Sequence, residues 1–205
     1  MSPIPINLAV EDELSEVILR RMLHVLKNFA VGTAYRHGGF GYLRKTICGW
    51  NQAAKGTPFV VLTDLDEYTC PAELIADWLP VPKHPNLLVR VAVREVESWI
   101  LADPENFSRF LGISANTVPP QTDDIADAKA ALVALGRKSR FSLIRDSIVP
   151  RRGSTAKQGP GYNGCLGQFV REQWNINAAS MNSPSLARTI ERLTSFTPVW
   201  QHEEM

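Results

Sequence analysis

Three short apolar runs in the first half of the chain constrain its fold more than any other feature. They are Ile4–Val10, Phe59–Thr63 and Leu87–Val93, each too short for a typical helix and rich in β-branched residues. The segments between them carry apolar residues at helical spacing. Strands that alternate with helices are typical of a mostly parallel sheet covered on both faces. The sequence therefore predicts an α/β fold with right-handed crossovers.

The predicted helices of this half follow the same alternation. Apolar residues at helical spacing run from Glu11 to Ala30, and a glycine-containing loop separates this helix from a second one at Leu43–Ala54. Pro71 stands at a favourable first position of a third helix that ends near Trp78. A further short helix is expected from about Glu97, after the third strand.

The strand pattern stops after Asp103. Short helices are predicted between residues 104 and 147, near 163–174 and near 184–195, with Ser183 as the N-cap of the last one. We therefore expect residues 1–103 to form the α/β core and residues 104–205 to form a helical extension packed on that core.

The composition is that of an ordinary folded protein. Of 205 residues 44% are hydrophobic, and 22 Lys and Arg stand against 21 Asp and Glu. A chain without net basic character needs a local basic patch to bind nucleic acid. Its three widely spaced cysteines favour no disulfide framework or thiolate zinc site and suit a reducing cytosol. With no signal-peptide pattern and no apolar run of roughly 18 residues, we expect a cytoplasmic protein without membrane contact.

Acidic residues follow each of the three predicted strands. Glu11 follows the first strand, Asp64 and Asp66 follow the second, and Glu95 and Glu97 follow the third. Because ligands of open α/β sheets bind outside the carboxyl ends of the strands, these side chains are expected to converge. Clustered carboxylates repel each other unless a cation intervenes, and magnesium prefers oxygen ligands. The pattern predicts a divalent metal site. Taken singly, each acid could instead be a helix cap or a solvated charge.

The phrases around these acids resemble a known family. A glutamate after the first strand and a D-x-D after a later one resemble a Toprim domain, matched here by Glu11 and by Asp64 and Asp66. The closer resemblance is to the Toprim-like domain-of-unknown-function family 4276, through E-S-W-I-L-A-D at 97–103 and P-S-L at 184–186. The sequence departs from that family at Asp12, where a glycine is usual.

The resemblance implies a function. It implies a Toprim-like fold and a nuclease that hydrolyses phosphodiester bonds of DNA or RNA with Mg²⁺ or Mn²⁺. Glu11, Asp64, Asp66 and Glu97 would be catalytic, and the same residues with Glu95 would bind the metal. It also implies a role in prokaryotic anti-phage defence beside an ATPase partner. No P-loop motif occurs in the chain itself, so ATP hydrolysis would belong to the partner.

A glycine-rich basic loop is predicted at residues 151–164. Arg151, Arg152 and Lys157 could contact nucleic-acid phosphates, and Tyr162 could stack on a base. The alternative is a surface loop with solvated charges. Two other functions also stay open at this point. The chain could be a non-catalytic Toprim-like subunit that binds an ATPase or nucleic acid, or a regulatory or toxin-like subunit that acts on RNA.

Overall fold

The computed structural model describes residues 3–200, and within them the chain forms an α/β fold. A sheet of four parallel strands is flanked by helices, and the second half of the chain is helical. This confirms the predicted fold class and is consistent with a Toprim-like fold. The strands are β1 (Ile4–Val10), β2 (Phe29–Tyr35), β3 (Phe59–Asp64) and β4 (Leu87–Ala92).

Strand β2 was not predicted, because the apolar spacing of the first helix continues into it. The helix ends at Leu26, since Lys27 adopts the left-handed conformation (φ 59°) and its N–H donates to the carbonyl of Leu23 at 3.1 Å. Phe29 then begins an extended segment that pairs in parallel with β1. The strand lies at the end of the sheet and is partly exposed, so it lacks the continuous apolar run that marks β1 and β3.

The chain divides into two compact units. The first unit contains residues up to Val91 and the chain from Thr189 onward, and the second contains Ala92–Arg188. The division falls at Val91 and not at Asp103, because the helix that begins at Glu97 makes its contacts within the second unit. The helices between the strands of the first unit are α1 (Glu13–Leu26), α2 (Gly39–Ala53) and α3 (Pro71–Trp78).

Short helices make up the second unit, as the sequence predicts for most of that region. The second unit also contains two 3₁₀ turns, Ala115–Thr117 and Thr122–Asp124. The helices that begin there are α4 (Glu97–Leu101), α5 (Pro104–Leu111), α6 (Ala128–Arg137), α7 (Ser142–Ile148), α8 (Tyr162–Glu172), α9 (Ile176–Asn182) and α10 (Pro184–Thr194). The Ser183 hydroxyl accepts from the N–H of Leu186 at 3.2 Å, which confirms its role as the cap of α10. None of the described helices is long and apolar enough to cross a bilayer.

The order of the strands places a switch point between β1 and β3. The sheet order is β2-β1-β3-β4, so the chain leaves β1 toward one end of the sheet and leaves β3 toward the other. A crevice outside the carboxyl ends of two such strands is where open α/β sheets bind ligands. In the β1–β3 register Val10 lies opposite Leu62, so Glu11 comes level with Thr63. The residues that end these two strands therefore meet at the switch point.

Candidate metal centre

The candidate metal centre consists of Glu11, Asp64 and Asp66, at the carboxyl ends of β1 and β3. One carboxylate oxygen of Glu11, Oε1, accepts the backbone N–H of Asp64 at 2.9 Å and also the hydroxyl of Thr63. These bonds join residues 52 and 53 positions apart. Glu11 thus contacts the backbone of Asp64, the first residue of the D-x-D pair. Sequence reasoning missed Thr63, although its position level with Glu11 follows from the register.

The electrostatics of Glu11 reflect a partly buried carboxylate among other acids. Burial raises the pKa of Glu11 above its usual value of 4.5, and the hydrogen bonds from Thr63 and Asp64 offset part of this effect. The carboxylates of Asp66 and Asp12 lie near enough to raise the pKa further. Negative charge gathered in this way is stabilised by a cation.

Asp12, where the sequence departs from the pattern it resembles, serves as a helix cap. Its backbone is extended (φ −143°), a conformation open to any residue. Its side chain accepts the N–H of Ser15 at 2.8 Å and so caps α1. The turn after β1 is therefore unstrained, and the Asp12 carboxylate caps the helix that follows.

Asp66 lies on the turn that follows β3. Its backbone is left-handed (φ 48°), a region that aspartate tolerates better than most residues, and the N–H of Tyr68 closes the turn onto the carbonyl of Leu65 at 3.1 Å. Asp66 is exposed and lines a cavity of about 600 Å³ with Phe40, Glu67, Tyr68 and Glu73. Sequence reasoning did not include these four residues in the site.

The donor atoms of this centre suit a hard divalent cation. Glu11, Asp64 and Asp66 offer only carboxylate oxygens, which Mg²⁺ and Mn²⁺ prefer. The two hydrogen bonds to Glu11 use Oε1 and leave its second oxygen for an ion. In the part of the chain that the structure describes, no three His, Cys, Asp or Glu side chains are placed closely enough to hold an ion as they stand. The side chains would have to close on a bound cation.

Glu95 and Glu97 belong to the second unit and have partners there. The Glu95 carboxylate accepts the N–H of Lys129 at 2.8 Å, in the first turn of α6. Glu97 is 1% exposed, and its Oε1 accepts the Tyr162 hydroxyl at 3.0 Å and lies 3.4 Å from Lys129 Nζ. Burial raises the pKa of Glu97, and the charge of Lys129 lowers it in part. Glu97, paired with lysine and tyrosine, is a poor metal ligand, and the Glu95 carboxylate already accepts a backbone N–H of α6, so neither is part of the candidate centre.

The E-S-W-I-L-A-D phrase forms the buried centre of the second unit. The Trp99 indole N–H donates to Ser185 Oγ at 2.7 Å, and the Trp99 carbonyl accepts from the indole of Trp174 at 3.1 Å. Asp103, 1% exposed, accepts the N–H of Asn175 at 2.7 Å and caps α5. The most specific phrase of the resemblance therefore carries buried polar contacts that connect helices distant in sequence.

The basic loop is shorter than predicted, and its tyrosine is not available. Arg151, Arg152 and Lys157 are exposed, as contact with phosphates requires. Helix α8 begins at Tyr162, whose ring is 1% exposed and whose hydroxyl binds Glu97. The predicted stacking of Tyr162 on a base is therefore wrong. The ring can pack in the core because its hydroxyl has a buried hydrogen-bond acceptor there, the Glu97 carboxylate.

Comparison of the chain with known protein families, with curated proteins and with solved structures found no match.

Proposed function

We propose that this chain is a Toprim-like nuclease that hydrolyses phosphodiester bonds of DNA or RNA with Mg²⁺ or Mn²⁺. The observation that carries the proposal is the Glu11 carboxylate, hydrogen-bonded to the backbone of Asp64 and close to Asp66 at the switch point of the sheet. An all-oxygen donor set at that position is typical of a magnesium-dependent site.

Each residue of the centre has a distinct task in this proposal. Thr63 and the backbone of Asp64 fix the orientation of the Glu11 carboxylate through Oε1. Asp64 and Asp66 would supply the other carboxylate oxygens that bind the metal ion. Glu11, Asp64 and Asp66 would hold a divalent ion, which would supply stabilisation of charge on phosphate oxygens and activation of a water. Because the pKa of Glu11 is raised, its carboxylate accepts a proton more readily than an exposed glutamate does, which also suits a general base.

Nucleic acid would be bound through the basic loop. Arg151, Arg152 and Lys157 provide three exposed positive charges on a chain whose net charge is only +1. Such contacts position a nucleic-acid backbone without reading its sequence. A place in anti-phage defence beside an ATPase partner follows from the resemblance, and a cytoplasmic location follows from the three widely spaced cysteines.

Manganese titration of three matched variants tests the proposal. In calorimetry, Asp64→Asn and Glu11→Gln should each weaken Mn²⁺ binding by at least about tenfold and abolish Mn²⁺-dependent cleavage. Glu13→Gln is the control, since Glu13 is an exposed acid from the same stretch and its carboxylate lies 4.0 Å from Arg36. Equal Mn²⁺ affinity in wild type and Asp64→Asn would refute the metal assignment.

A non-catalytic subunit that binds nucleic acid or an ATPase is the second candidate. It is favoured because Glu95 and Glu97 form hydrogen bonds and an ion pair within the second unit. Three of the five predicted acids then remain for a metal. Labelled tRNA, single-stranded DNA and duplex DNA should be offered to the purified chain with Mn²⁺. Cleavage of any of them that Asp64→Asn removes excludes this candidate. Binding without cleavage favours it.

A further inference from the structure

The cavity beside Asp66 combines aromatic and acidic walls. It measures about 600 Å³, within the range of small-molecule sites. Phe40 comes from the first turn of α2, Tyr68 from the turn after β3 and Glu73 from the first turn of α3, while Asp66 and Glu67 complete the lining. Three separate elements of the first unit thus build one cavity at the carboxyl edge of the sheet.

The aromatic wall is held in place from behind. Phe40 packs edge-on against Trp78 with ring centroids 4.8 Å apart, and Trp78 is only 2% exposed. The Tyr68 hydroxyl donates to Asp77 at 2.5 Å, and Asp77 also binds Arg44 at 3.0 Å. The Phe40 and Tyr68 rings lie 6.3 Å apart with 30° between their planes. Both rings are partly exposed, so this wall offers a pre-oriented apolar surface for a flat ligand.

The acidic wall offers hydrogen-bond acceptors only. The Glu73 carboxylate accepts hydrogen bonds from the N–H and the hydroxyl of Thr69. Asp66 belongs to the candidate metal centre. Glu67 is exposed, and within residues 3–200 its carboxylate makes no hydrogen bond or ion pair, so it can accept from a ligand. A ligand that fits both walls needs a flat ring for the aromatic side chains and an N–H donor for the carboxylate.

We infer that this cavity binds a nucleobase that carries an exocyclic amino group. The base would stack on Phe40 and Tyr68 and donate its amino hydrogens to Glu67. A carboxylate accepts from the amino group of cytosine but finds no donor at the same position of uracil. The inference rests on the proposed function and deepens it, because Asp66 lies in the cavity wall and in the candidate metal centre. It predicts that the substrate is single-stranded, or has an unstacked base, next to the cleaved bond.

Cytidine and uridine are the matched probes for this inference. Neither carries a phosphate, so no metal is needed and repulsion by the acidic edge plays no part. In an NMR titration with a chelator present, we expect cytidine to bind the full chain at about millimolar concentration and uridine about fivefold more weakly. Tyr68→Leu should weaken cytidine binding about tenfold, because it removes a ring face. Tyr68→Phe keeps that face and should restore binding.

The acidic wall is tested by Glu67→Gln. An amide both donates and accepts, so the two nucleosides should bind this variant within about twofold of each other. Absence of binding by either nucleoside at millimolar concentration would overturn the inference, and so would binding unaffected by Tyr68→Leu. The Mn²⁺ titration of Asp64→Asn decides the proposed function separately. If the chain prefers cytidine but wild type and Asp64→Asn bind Mn²⁺ equally well, the metal site is refuted and the nucleobase site is supported.

Discussion

Tyr162→Phe removes one oxygen atom from the centre of the second unit and leaves the packed ring in place. The lost hydroxyl donates to Glu97 Oε1 at 3.0 Å, and Glu97 Oε2 has no hydrogen-bond partner among the described residues. After the substitution Lys129, 3.4 Å away, remains as the charged partner of a carboxylate that is 1% exposed. A hydrogen bond to a charged group contributes about 1.5–3 kcal/mol, so we expect a loss of about 2 kcal/mol. With a urea m-value of about 2–3 kcal/mol/M, the unfolding midpoint should fall by about 1 M.

Equilibrium urea unfolding followed by tryptophan fluorescence measures this loss, because Trp99 and Trp174 are buried in the same unit. Tyr42→Phe is the control, since the Tyr42 hydroxyl makes no hydrogen bond within residues 3–200 and its removal should cost less than about 0.5 kcal/mol. The loss in Tyr162→Phe should also shrink as the pH falls through the raised pKa of Glu97, because the phenol favours the ionised carboxylate. A loss below about 0.5 kcal/mol near neutral pH would refute the reasoning.

Three further predictions concern other parts of the chain. In the metal-free protein, Glu11→Gln should stabilise the folded state more near neutral pH than below pH 4.5. The reason is that the raised pKa of Glu11 makes its ionised form unfavourable in the folded state, and glutamine removes that charge. Equal effects on the free energy of urea unfolding at both pH values would contradict this. Asp103→Asn should lower the free energy of unfolding by about 2 kcal/mol in the same assay, because the new amide N–H₂ would face a donor that the carboxylate now accepts. An unchanged unfolding midpoint would show that these buried contacts contribute little. Replacing Arg151, Arg152 and Lys157 by alanine should leave stability unchanged, because all three are exposed. It should lower the salt slope of single-strand binding by about 2, and an unchanged slope would exclude the loop as a phosphate contact.

The first unit was largely predictable from the sequence, because its signals are local. The buried strands β1, β3 and β4 are short apolar runs, and such runs have few alternatives. Once adjacent parallel strands are assumed, the meeting of Glu11 with Asp64 follows from the rule that parallel strands end on one edge. The missed strand β2 shows the limit of this reasoning. Its partly exposed sequence continues a helical spacing, and only the left-handed Lys27 separates the two elements.

The second unit was less predictable, because its polar groups are defined by contacts between distant residues. Glu97 and Tyr162 are 65 positions apart, and nothing in either local sequence indicates that they bind each other. The resemblance implied a catalytic role for Glu97, and the composition of the glycine-rich basic loop favoured a stacking role for Tyr162. Burial decides against the stacking role, since Tyr162 is 1% exposed.

Glu97 and Glu11 differ in the charges that surround their carboxylates. Glu97 is close to Lys129 within its own unit, and a group that already has an opposite charge needs no metal. The negative charges of Asp66 and Asp12 both raise the pKa of Glu11. Burial of the Glu11 carboxylate disfavours its charged form, and a bound cation would relieve that cost. If Mn²⁺ stabilises the wild-type chain in urea and not the Glu11→Gln variant, that cost is relieved at the switch point of the sheet, where the proposed chemistry requires it.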